Sequence, residues 1–223
     1  MKIQVDRKGE VFSGYKAERA RGLFNVSEED GSEFHLTAEL PVELDSWKVG
    51  VVVGSSGSGK SSIGQELEKE GYYGWTSTGK RWKSKPILEE IEGNFDEVTG
   101  VLTTVGLGSV PAWLRPYSVL SNGEKFRADS ARLLRSKHSA VVVDEFTSVL
   151  DRTVACTGSA AFVRAWRKRG GQVVLLTCHH DILDWLEPDW VFDTDDAKLY
   201  TTWAEQTGLK GDYPEVGLLV VKK

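Results

Sequence analysis

The sequence predicts an α/β fold in which a mostly parallel central sheet carries helices on both faces, and three observations predict it. Short apolar runs at 49–53, 139–143 and 173–178 lack the polar alternation of a half-exposed strand, so they read as strands buried on both sides. Segments with helical spacing at 63–70, 124–134 and 149–169 alternate with those strands, the order from which parallel sheets are built. A glycine-rich loop, Gly54 to Ser61, joins the first of these strands directly to the first of these helices.

Along the chain, Phe34-His35-Leu36-Thr37-Ala38-Glu39-Leu40 alternates like a strand after the turn signal Asp30-Gly31. A middle region, 75–117, holds helical stretches at 87–91 and 96–105 and a loop broken by Pro111 and Pro116. Residues 181–186 read as a short helix, and 190–192, 199–201 and 216–221 as closing strands. The terminal strands are expected to add a small antiparallel part. The whole chain, 1–223, is expected to be a single domain, with a helical subdomain at about 76–135 within it.

A chain of 223 residues can bury a substantial core, and 40% hydrophobic with 27% charged residues is ordinary for a globular protein. The net charge of −5 excludes indiscriminate attraction to polyanions over the whole surface. Cys156 and Cys178 lie in apolar runs without metal-ligand spacing and are expected to be buried free thiols of a reducing cytosol. Met1 to Asp6 contains no apolar region of signal-peptide type, and no stretch approaches the roughly 18 apolar residues of a membrane span. A cytoplasmic protein is expected; any membrane part it served would be another chain.

Gly54-Ser55-Ser56-Gly57-Ser58-Gly59-Lys60-Ser61 completes the pattern G-x-x-x-x-G-K-[ST]. Its glycines let the backbone turn tightly so that N–H groups face phosphate oxygens, and the helix that follows adds its positive end. Gly54, Ser55, Ser56, Gly57, Ser58, Gly59, Lys60, Ser61 and Ser62 form the expected ATP-binding set, with Lys60 on the β- and γ-phosphates and Ser61 on Mg2+. Val141-Val142-Val143-Asp144-Glu145 is a buried strand ending in two carboxylates, Asp144 for the metal and Glu145 for the attacking water. Ser121 and Gly123 precede a helix near Glu124 and offer a second anion-binding device. Two cradles for one ATP imply a two-fold dimer in which each P-loop faces the partner's Ser121.

From about Phe34 to Asp193 the chain resembles ABC-type ATPases. Leu120-Ser121-Asn122-Gly123-Glu124 resembles their signature, Val141 to Glu145 their Walker B motif and Ser148-Val149-Leu150-Asp151 their D-loop. The resemblance implies that Asp151 links one site to the other. It also implies a switch histidine that touches the γ-phosphate: His179 follows the strand directly and is preferred, whereas His180 restores a His-Asp pair. Trp113-Leu114-Arg115-Pro116-Tyr117 and Trp185-Leu186-Glu187-Pro188-Asp189-Trp190 are similar to stand-alone ABC ATPases of bacteria and phages, some of them beside or fused to acetyltransferase-like domains. With Glu124, the segment 120–125 is similar to the signatures of SMC-like and other soluble, nucleic-acid-linked ABC ATPases, but Ser121 follows Lys60 by only 61 positions, so no long coiled coil fits between them.

Two features depart from the family. The Q-loop glutamine is missing: Gln65 lies inside the P-loop helix, and residues 75–82 occupy the expected place. The adenine-stacking aromatic is expected at Phe24, with Tyr15 and Phe12 behind it. Lys80, Arg81, Lys83 and Lys85, interleaved with Trp75 and Trp82, read first as a solvated loop and second as a phosphate-backbone contact. Arg164, Arg167, Lys168 and Arg169 read as a solvated helix end. The resemblance implies Mg2+-dependent ATP hydrolysis in a head-to-tail homodimer. The alternatives are an ATP-gated dimerising module for DNA or protein with little turnover, and, ranked lower, the nucleotide-binding subunit of a membrane transporter.

Overall fold

The computed structural model describes residues 1–8, 14–25, 33–76 and 82–201. Phe12, Asp30, Gly31, Lys80, Arg81 and the expected strand at 216–221 lie outside them. Strand β1 (Lys2–Lys8) pairs antiparallel with β2 (Glu33–Glu39), Lys2 opposite Glu39 and Arg7 opposite Phe34. Alternation turns Ile3, Val5, Leu36 and Ala38 inward. Helix α1 (Tyr15–Phe24) lies between these strands in sequence and buries none of its residues.

The main sheet comprises β3 (Val49–Val53), β4 (Tyr73–Thr76), β5 (Ala140–Asp144), β6 (Gln172–Thr177), β7 (Trp190–Asp193) and β8 (Lys198–Thr201). Its order is β4-β5-β6-β3-β7-β8, parallel throughout except that β8 runs antiparallel to β7. The unbroken valines are explained by two cores. Val49, Val51, Val53, Val141, Val143, Val173 and Leu175 face one core, and Val52, Val142, Val174 and Leu176 the other. The second core is closed by α2 (Lys60–Lys69), whose Ile63 and Leu67 sit among residues of the small β1–β2 sheet and of the main sheet. The first is covered by α3 (Ile87–Glu90), α4 (Phe95–Thr104), α5 (Val110–Trp113), α6 (Asn122–Arg135), α7 (Arg152–Arg169) and α8 (Leu183–Leu186). Helices α3 to α6 are inserted between the adjacent strands β4 and β5.

β1, α1 and β4 have no counterpart among the elements expected from the sequence. β1 mixes its inward Ile3 and Val5 with charged residues, and β4 has only four residues, one of them Gly74. Helix α7 starts at Arg152 rather than 149, because Leu150 N donates to Thr147 O and the Asp151 carboxylate accepts from Val154 N, which caps the helix there. The expected helix at 181–186 is a 3-10 turn, His180–Ile182, running into α8. Cys178 is exposed and Cys156 only half-buried, because residue 178 lies just beyond the sheet edge where β6 ends.

Gly50 in β3 is required by a neighbour. A Cβ there would fall 2.0 Å from Cζ2 of Trp190, a fully buried ring that meets Trp47 edge-on at 5.3 Å. Neither tryptophan has room to retreat. Gly50→Ala is therefore expected to destabilise the fold by about 3 kcal/mol, read as a lower urea midpoint with an unchanged m-value.

Candidate functional site

Parallel pairing brings the carboxyl ends of the strands to one edge, where open α/β sheets collect their ligands. Val53 pairs with Thr177 and with Asp193, and Thr76 with Asp144. The segments leaving β3, β5, β6 and β7 therefore meet there, and they carry the P-loop, the acidic pair, the histidines and a further acidic run.

In the P-loop, Gly59 has φ 94°, and a Cβ on it would lie 2.5 Å from the Phe34 ring. The Lys60 ammonium donates to Gly54 O at 2.8 Å and to Ser55 O at 2.5 Å. Ser58 Oγ bonds Ser55 O at 2.7 Å and shares a 2.5 Å hydrogen bond with Thr194 Oγ1. The Asp195 carboxylate accepts from Ser55 N at 2.9 Å and from Ser55 Oγ at 2.7 Å. Those donors hold the Asp195 carboxyl below the usual range against partial burial, with His180 and Lys60 adding their charge. Ser56 and Ser61 are exposed, and Ser62 is buried in the first turn of α2.

β5 ends at Asp144, whose Oδ1 accepts from Glu145 N at 2.8 Å. Glu145 (φ 52°) and Thr147 (φ 66°) both adopt the left-handed region, which is unfavourable for a β-branched residue. Such positions hold strain of about 1–3 kcal/mol each and persist only where the surroundings fix them. Here Phe146 N donates to Leu176 O at 2.9 Å, and the Phe146 ring sits between Phe126 and Phe162.

His179 Nδ1 lies 3.3 Å from Thr147 Oγ1, beside the acidic pair, and its backbone N–H donates to Thr177 Oγ1. Burial lowers the His179 pKa, the Arg152 charge lowers it further, and Asp181 opposes both. His180 instead pairs through Nε2 with Asp193 Oδ2 at 3.1 Å.

Ser121 is the N-cap of α6: Glu124 N donates to its hydroxyl oxygen, and the Glu124 carboxylate accepts from Ser121 N and Oγ at 2.8 Å each. These bonds hold the Glu124 carboxyl below the usual range. Asn122 Nδ2 reaches Val149 O at 3.4 Å, and a Cβ on Gly123 would lie 3.2 Å from Val154, so the 120–124 segment rests on the 148–154 segment. Further along α6, the buried Asp129 accepts from Trp82 Nε1 at 2.7 Å and from Tyr117 Oη at 2.6 Å. That fixes the chain following residues 77–81 to α6. A cavity of about 270 Å³ separates Asp129 from Asp144 and Glu145.

Several solved structures share this architecture at low sequence identity. CbiO1 from Clostridium perfringens, part of an ABC transporter complex, is 17% identical with TM-score 0.53, covering 83% of each chain. A metal-chelate-type ABC transporter in an inward-facing conformation is 14% identical with TM-score 0.56, covering 88% of this chain and 82% of that one. The fold is that of an ABC-type ATPase. An archaeal ribosome recycling factor, solved with a ribosomal stalk protein, is 19% identical with TM-score 0.51 over 66% of this chain, which spans only 35% of that factor. No protein-family model and no curated protein matches the sequence.

The ABC-type fold brings together, at one edge, the P-loop, Asp144, Glu145 and both histidines. Phe24 is not held there: it is 77% exposed at the end of a helix that buries nothing, and Tyr15 is 76% exposed. Among the described residues, Phe34 packs on the P-loop at Gly59. Thr194 and Asp195 were not picked out in the sequence; the only signal was an acidic run, Asp193-Thr194-Asp195-Asp196, after an apolar strand. No helix among the described residues is long and apolar enough to cross a membrane.

The Asp195 clasp on Ser55 is open to solvent, which keeps its contribution below about 1 kcal/mol. A depressed carboxylate pKa means that this contribution is present above about pH 4, the unfolded value, and is lost as pH falls through the folded one. Asp195→Asn is therefore expected to melt up to roughly 2–4 °C below the wild type at neutral pH. The gap should close in acid, checked by thermal scans across that range.

Proposed function

We propose that the chain is a Mg2+-dependent ATPase that closes as a head-to-tail homodimer, with ATP between one protomer's P-loop and its partner's signature at Ser121 and Gly123. The observation that carries this is the convergence of P-loop, Asp144, Glu145 and His179 at one sheet edge, together with a capped signature helix whose start, Ser121 and Asn122, is exposed. In this proposal residues 1–223 act as one ATPase domain and about 76–135 as its helical part.

Lys60 would exchange two neutral carbonyls, Gly54 O and Ser55 O, for anionic phosphate oxygens, and charge-assisted bonds are roughly twice as strong. The P-loop amides and the start of α2 supply the remaining positive field. Ser61 and Asp144 suit Mg2+: they are hard oxygen donors, and Mg2+ is usually held by one or two such groups together with substrate phosphates and water. The ion would neutralise charge on the phosphates. Glu145, turned away from the line of β5 by its left-handed backbone, would orient and deprotonate the attacking water.

His179 is assigned as the switch rather than His180. Its ring stands beside Thr147 in the Walker B loop, and burial favours its neutral form, a hydrogen-bond donor for the γ-phosphate. His180 is held by Asp193. Asp151, which caps α7, would face the partner's site.

Glu145→Gln is expected to lose roughly 10²-fold or more in phosphate release and to accumulate as a dimer with ATP and Mg2+ but not with ADP, read by mass in solution. A monomeric mutant in ATP would overturn the dimer. A wild type that dimerises without releasing phosphate would instead establish the ATP-gated module. Service to a transporter, the role of CbiO1, would require a membrane partner.

A further inference from the structure

Arg152 is the first residue of α7 and follows Asp151 directly. Its guanidinium donates to both oxygens of Asp181, from Nε at 2.8 Å and from Nη2, while Nη1 is buried without a hydrogen-bond partner among the described residues. Asp181 lies two residues beyond His179, in the 3-10 turn that follows β6. The fork therefore joins the loop at Asp151 to the loop at His179, and the same two loops also meet at Thr147 and His179.

Stability does not account for this pair. The two side chains are 42% and 58% exposed, and ion pairs so placed contribute about 0–1 kcal/mol. What a two-pronged arginine–carboxylate contact supplies is fixed geometry, because both groups are planar and both prongs must align. The fixed element here is the turn that carries His179.

We propose that Arg152 is a positioning residue for hydrolysis: its fork on Asp181 sets where His179 stands, and so makes the γ-phosphate contact at one site depend on the loop that faces the partner's site. This rests on the ATPase function and on the assignment of His179 made above. The Arg152 charge also favours the neutral imidazole, in the same direction as burial. If the loop at Asp151 shifts when the dimer opens, Arg152 moves with it and His179 loses its placement. Hydrolysis is thereby tied to closure.

The test uses the full chain and compares Arg152→Ala, Arg152→Lys, His179→Ala, the double variant of Arg152→Ala with His179→Ala, and the swapped pair of Arg152→Asp with Asp181→Arg. For Arg152→Ala the expected result is a kcat lower by about 10–100-fold with KM for ATP and Tm little changed. Arg152→Lys should fall between, because lysine cannot make the fork, and the swapped pair should regain part of the loss. In the His179→Ala background, Arg152→Ala should do no further damage, since both act on one contact. An equal further loss in that background, or a wild-type kcat in Arg152→Ala, would overturn the proposal alone. His179→Ala with wild-type kcat would overturn the switch assignment, and no phosphate release from the wild type would overturn the ATPase function; the proposal falls with either.

Discussion

The fold depends on the burial of both faces of β3, β5 and β6. Their side chains alternate between two apolar cores, so no charged group can sit within these strands without a partner, and an unpaired buried charge would cost several kcal/mol. The chemistry is thereby pushed to the strand ends. Asp144 and Asp193 are the last residues of β5 and β7, and each finds a partner just past the sheet, Glu145 N and His180. Parallel direction then does the rest: all these ends point the same way, so one edge gathers the P-loop, both acidic strand ends and the histidines. The tight core has its own defects. Trp47 and Trp190 each bury an indole N–H without a partner among the described residues, which is offset by the area their rings remove from water.

Strain is concentrated beside the acidic pair. Two of the five non-glycine residues with positive φ among the described residues, Glu145 and Thr147, flank Phe146. Phe146 is held by a backbone bond to β6 and by rings on α6 and α7, so the residues either side of it have little freedom to relax. The consequence is directional. In a continuing strand, residue 145 would point to the opposite face from 144 and into a core. The left-handed turn takes its carboxylate out to the edge, while Asp144 closes on the Glu145 amide.

What the sequence made legible was local. The P-loop pattern, the valine strand into Asp144 and Glu145, and Ser121 at a helix start each lie within a few residues, and each forms the predicted element. The contacts spanning long separations were not legible. Ser55 with Asp195 and Arg152 with Asp181 are set by strand order, and nothing near Ser55 or Arg152 announces the partner. Phe24, expected as a base platform because it is aromatic and upstream, stands exposed at the end of α1. Only the pairing of β1 with β2 reveals that Phe34, not Phe24, is delivered to Gly59. The anchoring of the chain at Trp82 was illegible for a similar reason: Trp82 is tied to Asp129, 47 residues away, by a bond that only the packing of α6 creates.

The acidic residue Glu124 raises a physical difficulty for the proposed signature, because a carboxylate beside a phosphate site would repel the ligand. Its hydrogen bonds resolve much of this. Glu124 receives the Ser121 amide and hydroxyl, and Arg115 and Arg127 add positive charge nearby, so its charge is largely answered within the chain. The same capping box fixes the Ser121 backbone at the start of α6 and leaves one adjustable element, the hydroxyl proton, which can rotate from Glu124 towards an incoming anion. Rotating that proton exchanges one charged acceptor for another and leaves the hydrogen bond from Ser121 N to Glu124 in place. In the dimer proposed above, a signature built this way would already be formed in the single chain, and its ordering would add nothing to the work of closure.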